Sequence, residues 1–583
     1  MSTRVGLGLG LPVTSTFALP LSAYYVLLQI RVITQRVQSK QSLAQTSSPS
    51  AGEDDALLVA ARAQANFNEN VPLALLLAGF VEANGGSKTV LVWTLSALTI
   101  ARVLHVEFGL KVSGGKHKHA GAGRGIGFLT TALVILGLAG YGACVKSIAG
   151  LESSLQPTAC IVRPTCAQDV STAIALLYQR NAGGKHLSCV FAVRGGGYTP
   201  YAGSANIEQG VTIDLRAMNS VTVSPDRKIV SVGGGAKWGE VYKPLDDQNL
   251  AVAGGRVSTV GVGGLILGGG ISFFSARFGF VCDNVESSAT QLPDLFRGLK
   301  GGTSNFGVVT SFQLRAFDSG NLWGGSVTYD WSTVDQQFEE FAKVAGSPKY
   351  DPYAAVINCY AWSSQGRFAV NTLTYTKTPA RDETPTFLAG LANIQPRLDS
   401  NLRVAPLSSL TDQIATSTDV AVRANFVTFS YRNNAQFAKR FTSLVEEKVA
   451  RLNTTVPGYF GTLSFQPVPQ IIISRSKKTG GNVLGLGPED GPLVNALYSA
   501  FWNDAADDAL IDREYTNLTR AGEALARQMG VEAKSIYLNY ADKWQEPIDA
   551  YGPAEVAYLR KVSRKYDPSG FFQKALPGGF KLY

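Results

Sequence analysis

The sequence predicts a multidomain chain: an all-α bundle of four helices at 1–150, an α+β domain at 151–317, an antiparallel-sheet domain at 318–535 and a short C-terminal element at 536–583. Three observations predict this order. Four long apolar stretches fill the first 150 residues, glycine turns alternate with β-rich runs after about Leu155, and period-two strands interleave with two helical runs in the middle. A chain of 583 residues exceeds what one hydrophobic core can organise.

The four stretches are Leu11 to Ile30, Leu57 to Ala83, Thr89 to Val106 and Ile126 to Ile148. Each is long enough, or nearly so, to cross a bilayer as a helix. The first lacks a basic lead and a clear small-residue cleavage site, so it reads as a retained span and not a secretory signal. Arg31, Arg36 and Lys40 follow the first span, and Lys111, Lys116, Lys118 and Arg124 follow the third. The positive-inside rule makes both basic connections cytoplasmic, which places both ends of the segment, and the domains after it, in the lumen of an endomembrane compartment. Sequons at Asn453 and Asn517 would then meet glycosylation machinery.

In the second span Arg62, Asn66 and Glu69 are spaced by four and three and so share one helical face, expected to point into the bundle. Ionisable groups in a membrane helix are costly unless paired or lining a polar cavity, which makes a binding role the default reading. The competing reading is a structural pair, Arg62 with Glu69, and Asn66 as interhelical glue.

After Gly150 the texture changes. Thr165 to Asn181 reads as an amphipathic helix, CVFAVR as a buried strand, and VTIDL and IVSV as further strands, each entering a glycine turn. Glycine triplets bare the main-chain N–H groups, so successive turns can form a concave donor nest for an anion such as a diphosphate. A strand, GxGxxG, helix and distal acidic residue are not found, which removes a Rossmann dinucleotide domain. In the middle, GGSVTYDW, AAVINCYAW and RFAVNTLTYT read as strands, with helices at Gln336 to Val344 and Ala435 to Leu452.

The bulk composition excludes several classes. Apolar residues make up 45% and charged residues 17%, so global disorder is ruled out. The net charge of +9 is dispersed and lacks the basic, aromatic-interleaved patch of a nucleic-acid binder. The six cysteines form neither a CxxC pair nor a His/Cys zinc spacing, so no metal is expected. Cys160 and Cys166 are either a disulfide or two thiols.

VRGGGYTPYAGSAN, VSVGGGAKWGEVY and STVGVGGLILGGG, followed by FGFVCDN and KGGTSNFGVVTSF, resemble the FAD-binding half of the vanillyl-alcohol oxidase or berberine-bridge superfamily, the PCMH fold. YLNYADKWQEPIDAYG and RKYDPSGFF resemble its C-terminal berberine-bridge element. The resemblance implies an FAD-linked oxidoreductase acting on a small organic, secondary-metabolite-type substrate by hydride transfer, with O2 as final acceptor. It implies cofactor contacts from Arg194, Gly195, Gly196, Gly197, Tyr198, Gly203, Ser204, Thr259, Val260, Gly261, Gly264, Gly268, Gly269, Gly270, Gly307, Val309 and Thr310. Tyr537, Asn539 and Tyr540 are implied at the flavin edge, facing substrate. Tyr198 replaces the histidine, and Val257 the cysteine, that tether flavin in many relatives, so the FAD is expected to be non-covalent. His186 and Cys282 do not fall in the tether positions and read as structural. Between Asn284 and Leu292, VESSATQ replaces a longer strand-turn-strand of relatives.

RAQANFNENVP, with ARVLH around Arg102 and His105, resembles the signature of the MAPEG family of membrane proteins. This implies glutathione binding through Arg62, Asn66 and Glu69 in a homotrimer. Asn70 stands where the leukotriene and prostaglandin synthase members have tyrosine, which puts thiol transfer in doubt. A second reading of the chain is therefore a glutathione-binding membrane module with a degenerate flavin domain.

Overall fold

A computed structural model describes residues 12–40, 55–83, 88–110, 128–135, 138, 160–181, 189–286, 292–364, 366–380, 383–418 and 423–583. The chain divides into two compact units, Met1–Ala149 and Gly150–Tyr583. His186, Cys144, the basic residues at 111–124 and most of VESSATQ lie outside the described residues.

In the first unit α1 (Pro12–Ser39), α2 (Ala56–Ala83) and α3 (Lys88–Val103) pack around Leu21, Phe67, Ala74, Leu91 and Leu95, and residues 128–135 are helical. Ala74 and Ala78 lie fully buried on α2, where small side chains let neighbouring helices approach closely. Leu19, Ile33, Val37, Leu76, Phe80, Trp93 and Ile100 are exposed on the outer faces, the inverse of a soluble bundle. Among the described residues two helices, Val13–Ser39 and Lys88–Glu107, are long and apolar enough to cross a membrane. α2 carries Arg62, Glu69 and Glu82, the last accepting the N–H groups of Val13 and Thr14 at the start of α1.

The second unit begins with a parallel sheet, ordered β1 (Cys160–Val162), β3 (Val211–Asp214), β2 (Phe191–Arg194). The helix Ala167–Arg180 covers it; Asp169 starts this helix by accepting from Thr165 N and Cys166 N at 2.8 and 3.3 Å. The far end of the chain completes this layer. Phe571, Ala575 and Leu576 pack with Val170, Leu177 and Phe191, and Phe191 N donates to Ala575 O at 2.8 Å.

A second, antiparallel sheet runs β4 (Val221–Val223), β5 (Ile229–Gly233), β7 (Ser311–Asp318), β6 (Leu250–Val252). At the shortened segment, Val285 makes a single antiparallel bridge to Leu314 and Glu286 N donates to Gln313 O, so β7 keeps a partner there.

The third layer is an eight-stranded antiparallel sheet. Its spine is β8 (Leu322–Tyr329), β10 (Gly366–Tyr375), β9 (Ala354–Ser363), β14 (Phe460–Val468), β15 (Leu493–Trp502) and β13 (Arg423–Arg432). Helices Val334–Ala345, Ala435–Thr455 and Asp508–Gln528 bury their apolar stripes on it. Asn434 caps the middle one through Phe437 N, 2.9 Å. One continuous core joins this sheet to the glycine-rich layer.

Candidate active site

The glycine turns converge. Gly196 and Gly261 touch backbone to backbone: a Cβ on Gly196 would lie 2.4 Å from Gly261 Cα, and one on Gly261 would lie 2.4 Å from Gly196 N. The second turn joins them, because a Cβ on Gly195 would meet Gly234 O at 3.3 Å and one on Gly263 would meet the same oxygen at 2.9 Å. Main-chain bonds lock the set: Trp238 N to Val260 O, Val262 N to Ala236 O, and Gly234 N to Thr310 O at 2.8 Å. Thr310 and Val309 are thereby held against the second turn.

Around this knot some glycines face open space. Gly264, Gly203 (φ +88°) and Gly307 (φ +153°) have no atom within 4 Å of where a Cβ would stand, and Thr259 Oγ1 is buried with no hydrogen-bond partner. Bared N–H groups, an orphaned hydroxyl and empty room are what an anionic, partly aromatic cofactor such as FAD requires. The residues present therefore fit the group.

Arg194 closes the first turn on itself by donating from Nε to Ala205 O at 3.1 Å, with Nη1 3.9 Å from Asp214. Asp214 is fully buried; burial pushes its carboxyl up, but the fork of hydrogen bonds from Arg216 outweighs this and holds it below the usual range. Tyr198 and Ser204 sit half-buried on the same loop. Gly268, Gly269 and Gly270 serve differently. Their missing side chains make way for Asn539 Oδ1, Leu484 and Val281 respectively, and positive φ at Gly269 and Gly270 turns the chain.

The C-terminal tyrosines are placed by that packing. Asn539 Nδ2 donates to Leu265 O at 3.0 Å and to Tyr537 Oη at 3.2 Å, and Ile271 N donates to Tyr537 Oη at 2.9 Å. Burial raises the Tyr537 phenol well above its ordinary value. Its ring meets Tyr540 edge-on at 4.8 Å. Tyr540 Oη accepts from Arg256 Nη2 at 2.8 Å and donates to Gln466 Oε1 at 3.3 Å, while Arg256 Nη2 also reaches Gln466 Oε1 at 2.5 Å. Arg256 is 8% exposed, and no carboxylate among the described residues pairs with it. Gln545 pins the tyrosine segment to β13, donating to Thr428 O at 2.6 Å and accepting from Asp542 N.

Sequence reasoning missed Arg256 and Gln466. The signal for Arg256 was present: it is the one charged residue between Leu250 and Ile271. Cys282 is buried, with burial pushing its thiol up, and stands beside Asp283. Cys160 and Cys166 are exposed free thiols, so the disulfide alternative is not realised.

In the first unit, Asn66 Oδ1 accepts from Arg102 Nη1 at 2.7 Å, linking α2 to α3. The expectation that all three polar residues of α2 point into the bundle is corrected for two of them. Arg62 and Glu69 are exposed and make no ion pair with each other, because the helical face they share lies at the edge of the helix contact.

Converging glycine turns beside a tyrosine segment pinned to an antiparallel sheet define a flavin-dependent oxidoreductase. The model of the FAD binding domain matches residues 158–294 and that of the MAPEG family matches 14–144. The FAD-dependent monooxygenase drtC of Aspergillus calidoustus is 34% identical over 459 residues, covering 76% of this chain and 86% of that one. Among solved structures, 6-hydroxy-D-nicotine oxidase of Arthrobacter nicotinovorans superposes with TM-score 0.58 at 20% identity, covering 73% of this chain and 94% of its own. Glucooligosaccharide oxidase of Acremonium strictum, which carries a cysteinyl, histidyl FAD, does so at 0.57 and 17%, covering 72% and 92%. The chain belongs to the family of FAD-linked oxidoreductases that includes these FAD-dependent monooxygenases, with the MAPEG match confined to residues 14–144.

Proposed function

We propose that the second unit oxidises a small organic substrate of secondary metabolism by removing a hydride, with Tyr540 as the proton acceptor. Bound FAD supplies the two-electron acceptor, which O2 reoxidises. The Arg256–Tyr540–Gln466 cluster carries the reading. The buried Arg256 guanidinium donates to the Tyr540 oxygen, and no carboxylate among the described residues pairs with it, so a positive charge stands beside the oxygen that would take the proton. Gln466 orients the hydroxyl, so its free lone pair is directed by two fixed partners. Having released its own proton, Tyr540 takes the proton of a substrate O–H or N–H as the adjacent C–H bond gives up its hydride, and Tyr537 and Asn539 hold it in place.

Cofactor contacts are assigned to Arg194 through Tyr198, Gly203, Ser204, Thr259 to Gly261, Gly264, Gly307, Val309 and Thr310. The FAD is non-covalent in this reading, since Tyr198 and Val257 occupy the tether positions; acid denaturation should release all flavin to the supernatant. The decisive experiment is anaerobic mixing of the purified holoenzyme with candidate phenolic and alcoholic metabolites. Bleaching of the flavin band, lost in Tyr540→Phe, is the expected result, with one hydrogen peroxide per substrate on readmitting O2. Incorporation of labelled oxygen into product without peroxide would replace this reading by monooxygenation.

For the first unit we infer multi-pass insertion with the oxidoreductase lumenal, and a homotrimer that brings the exposed Arg62 and Glu69 of α2 against a neighbouring copy, with Asn66 as the third glutathione ligand. Asn453 Oδ1 is buried, so Asn517, exposed on its helix, is the sequon that tests lumenal placement. Glutathione titration of the detergent-solubilised protein tests the ligand; no binding at millimolar concentration rejects it.

A further inference from the structure

The last six residues, GGFKLY, are tied to both chain segments that border the open space at Gly203 and Gly307. Gly578 passes so close to Gly203 that a Cβ on it would fall 1.8 Å from Gly203 O and 3.1 Å from Ser204 Cα. The Phe580 ring meets Tyr201 edge-on at 6.0 Å, and Phe580 O accepts from Asn305 Nδ2 at 2.9 Å, two residues before Gly307. Gln573 bonds both sides of this junction, donating to Asn305 O at 3.0 Å and accepting from Leu582 N at 3.1 Å. Arg560 Nε holds Leu582 O at 2.7 Å and stacks on the Tyr583 ring. Asn305 Oδ1 remains buried without a partner.

Lys581 is anchored inside this junction. Its ammonium donates to Phe572 O at 3.1 Å, and no carboxylate among the described residues pairs with it. Desolvation brings its pKa down to about 7, so the site as built disfavours the charge. Two arginines of this layer are already engaged: Arg216, just after β3, forks onto Asp214, and Arg194, at the start of the first glycine loop, is shared between Asp214 and Ala205 O. A dianionic diphosphate held in this cradle needs a cation that is not already neutralised, and a half-buried ammonium with no carboxylate partner among the described residues, on a segment locked to the cradle's two rims, supplies one.

We propose that Gly578–Tyr583 is a clasp that closes the diphosphate cradle of the FAD site, with Lys581 as the counter-charge of the diphosphate. The proposal concerns cofactor retention and holds whether or not Tyr540 is the base. It is tested on the full-length apoprotein in detergent by fluorescence titration with FAD and, separately, with riboflavin, which lacks the diphosphate. Lys581→Met should raise the FAD Kd about tenfold or more, the worth of one charge-assisted bond, and leave the riboflavin Kd unchanged. Lys581→Arg should restore most of the loss. Should Lys581→Met yield no folded protein, the same pair of titrations on Lys581→Gln decides the matter. An FAD Kd within about twofold of wild type, or equal weakening of FAD and riboflavin, overturns the proposal.

Discussion

Two single-atom additions separate glycines that the protein needs from glycines that the cofactor needs. In Gly196→Ala the new methyl would lie 2.4 and 2.5 Å from Gly261 Cα and N, where carbon contacts settle near about 3.5–4.0 Å. Both neighbours are backbone and cannot swing away, so the first and third turns must part by about 1 Å, straining the Trp238 N to Val260 O bond. Overpacking of this kind costs about 1–3 kcal/mol. The apoprotein should melt several degrees lower, and FAD binding should weaken with it. In Gly264→Ala the methyl enters a volume with nothing within 4 Å, on a short helix, Val262–Leu267, where alanine is favoured over glycine by about 0.5–1 kcal/mol. The apoprotein should melt unchanged or slightly higher, yet FAD affinity should fall about tenfold or more if that volume is the cofactor's. The assay is differential scanning fluorimetry of apoprotein beside flavin-fluorescence titration. Wild-type FAD affinity in Gly264→Ala would refute the assignment of that space to flavin, and an unaltered melt in Gly196→Ala would refute the contact geometry.

Other outcomes follow from the same geometry. Arg256→Met removes the cation from Tyr540 while keeping most of the buried volume; a charged hydrogen bond of about 1.5–3 kcal/mol predicts a kcat lowered about ten- to a hundredfold in anaerobic flavin reduction. A kcat within about twofold of wild type would remove Arg256 from the proton-transfer role. Asp294 is held down to about 2 by hydrogen bonds from Lys565 and Tyr566, each 2.7 Å. Its folded pKa lies below the ordinary value near 4, so its stabilisation is present above about pH 4 and disappears as pH falls through about 2. Melts of Asp294→Asn against wild type should differ at pH 5 and converge toward pH 2, and a constant gap across that window would contradict the assignment. Cys282, buried with its thiol pKa raised, should resist alkylation in the folded protein while Cys160 and Cys166 label, read by mass spectrometry.

The glycine turns and the strands entering them were legible because each follows from local chemistry: β-rich runs ending in residues that cost nothing to bend. FAVRGGG-like junctions announce where a chain must come close to something, but not to what. Gly196 and Gly268 look alike in sequence; one accommodates another backbone and the other accommodates Asn539, and only the third dimension tells them apart. Gly268, Gly269 and Gly270 were accordingly expected around the flavin, whereas the structure commits them to Asn539, Leu484 and Val281. Arg256 and Gln466 escaped notice for a related reason. Their meaning lies in meeting Tyr540 from distant segments, with no carboxylate among the described residues paired to the guanidinium, a property of the surroundings that no stretch of sequence carries. In the first unit, spacings of four and three group Arg62, Asn66 and Glu69 on one face of α2, but a face has width, and of the three it is Asn66 that bonds Arg102.

The parallel sheet that launches the first glycine turn has a bearing on how the second unit folds. Phe191 shares a hydrogen bond with Ala575 and stacks on Phe571, so a strand near the start of the unit finds its cover in a segment far along the chain. Local pairing alone cannot mature this layer, which stays unsealed until both distant segments are in place. Deleting Phe571–Leu576 would thus unroof the strand that leads into the glycine turn rather than trim a periphery.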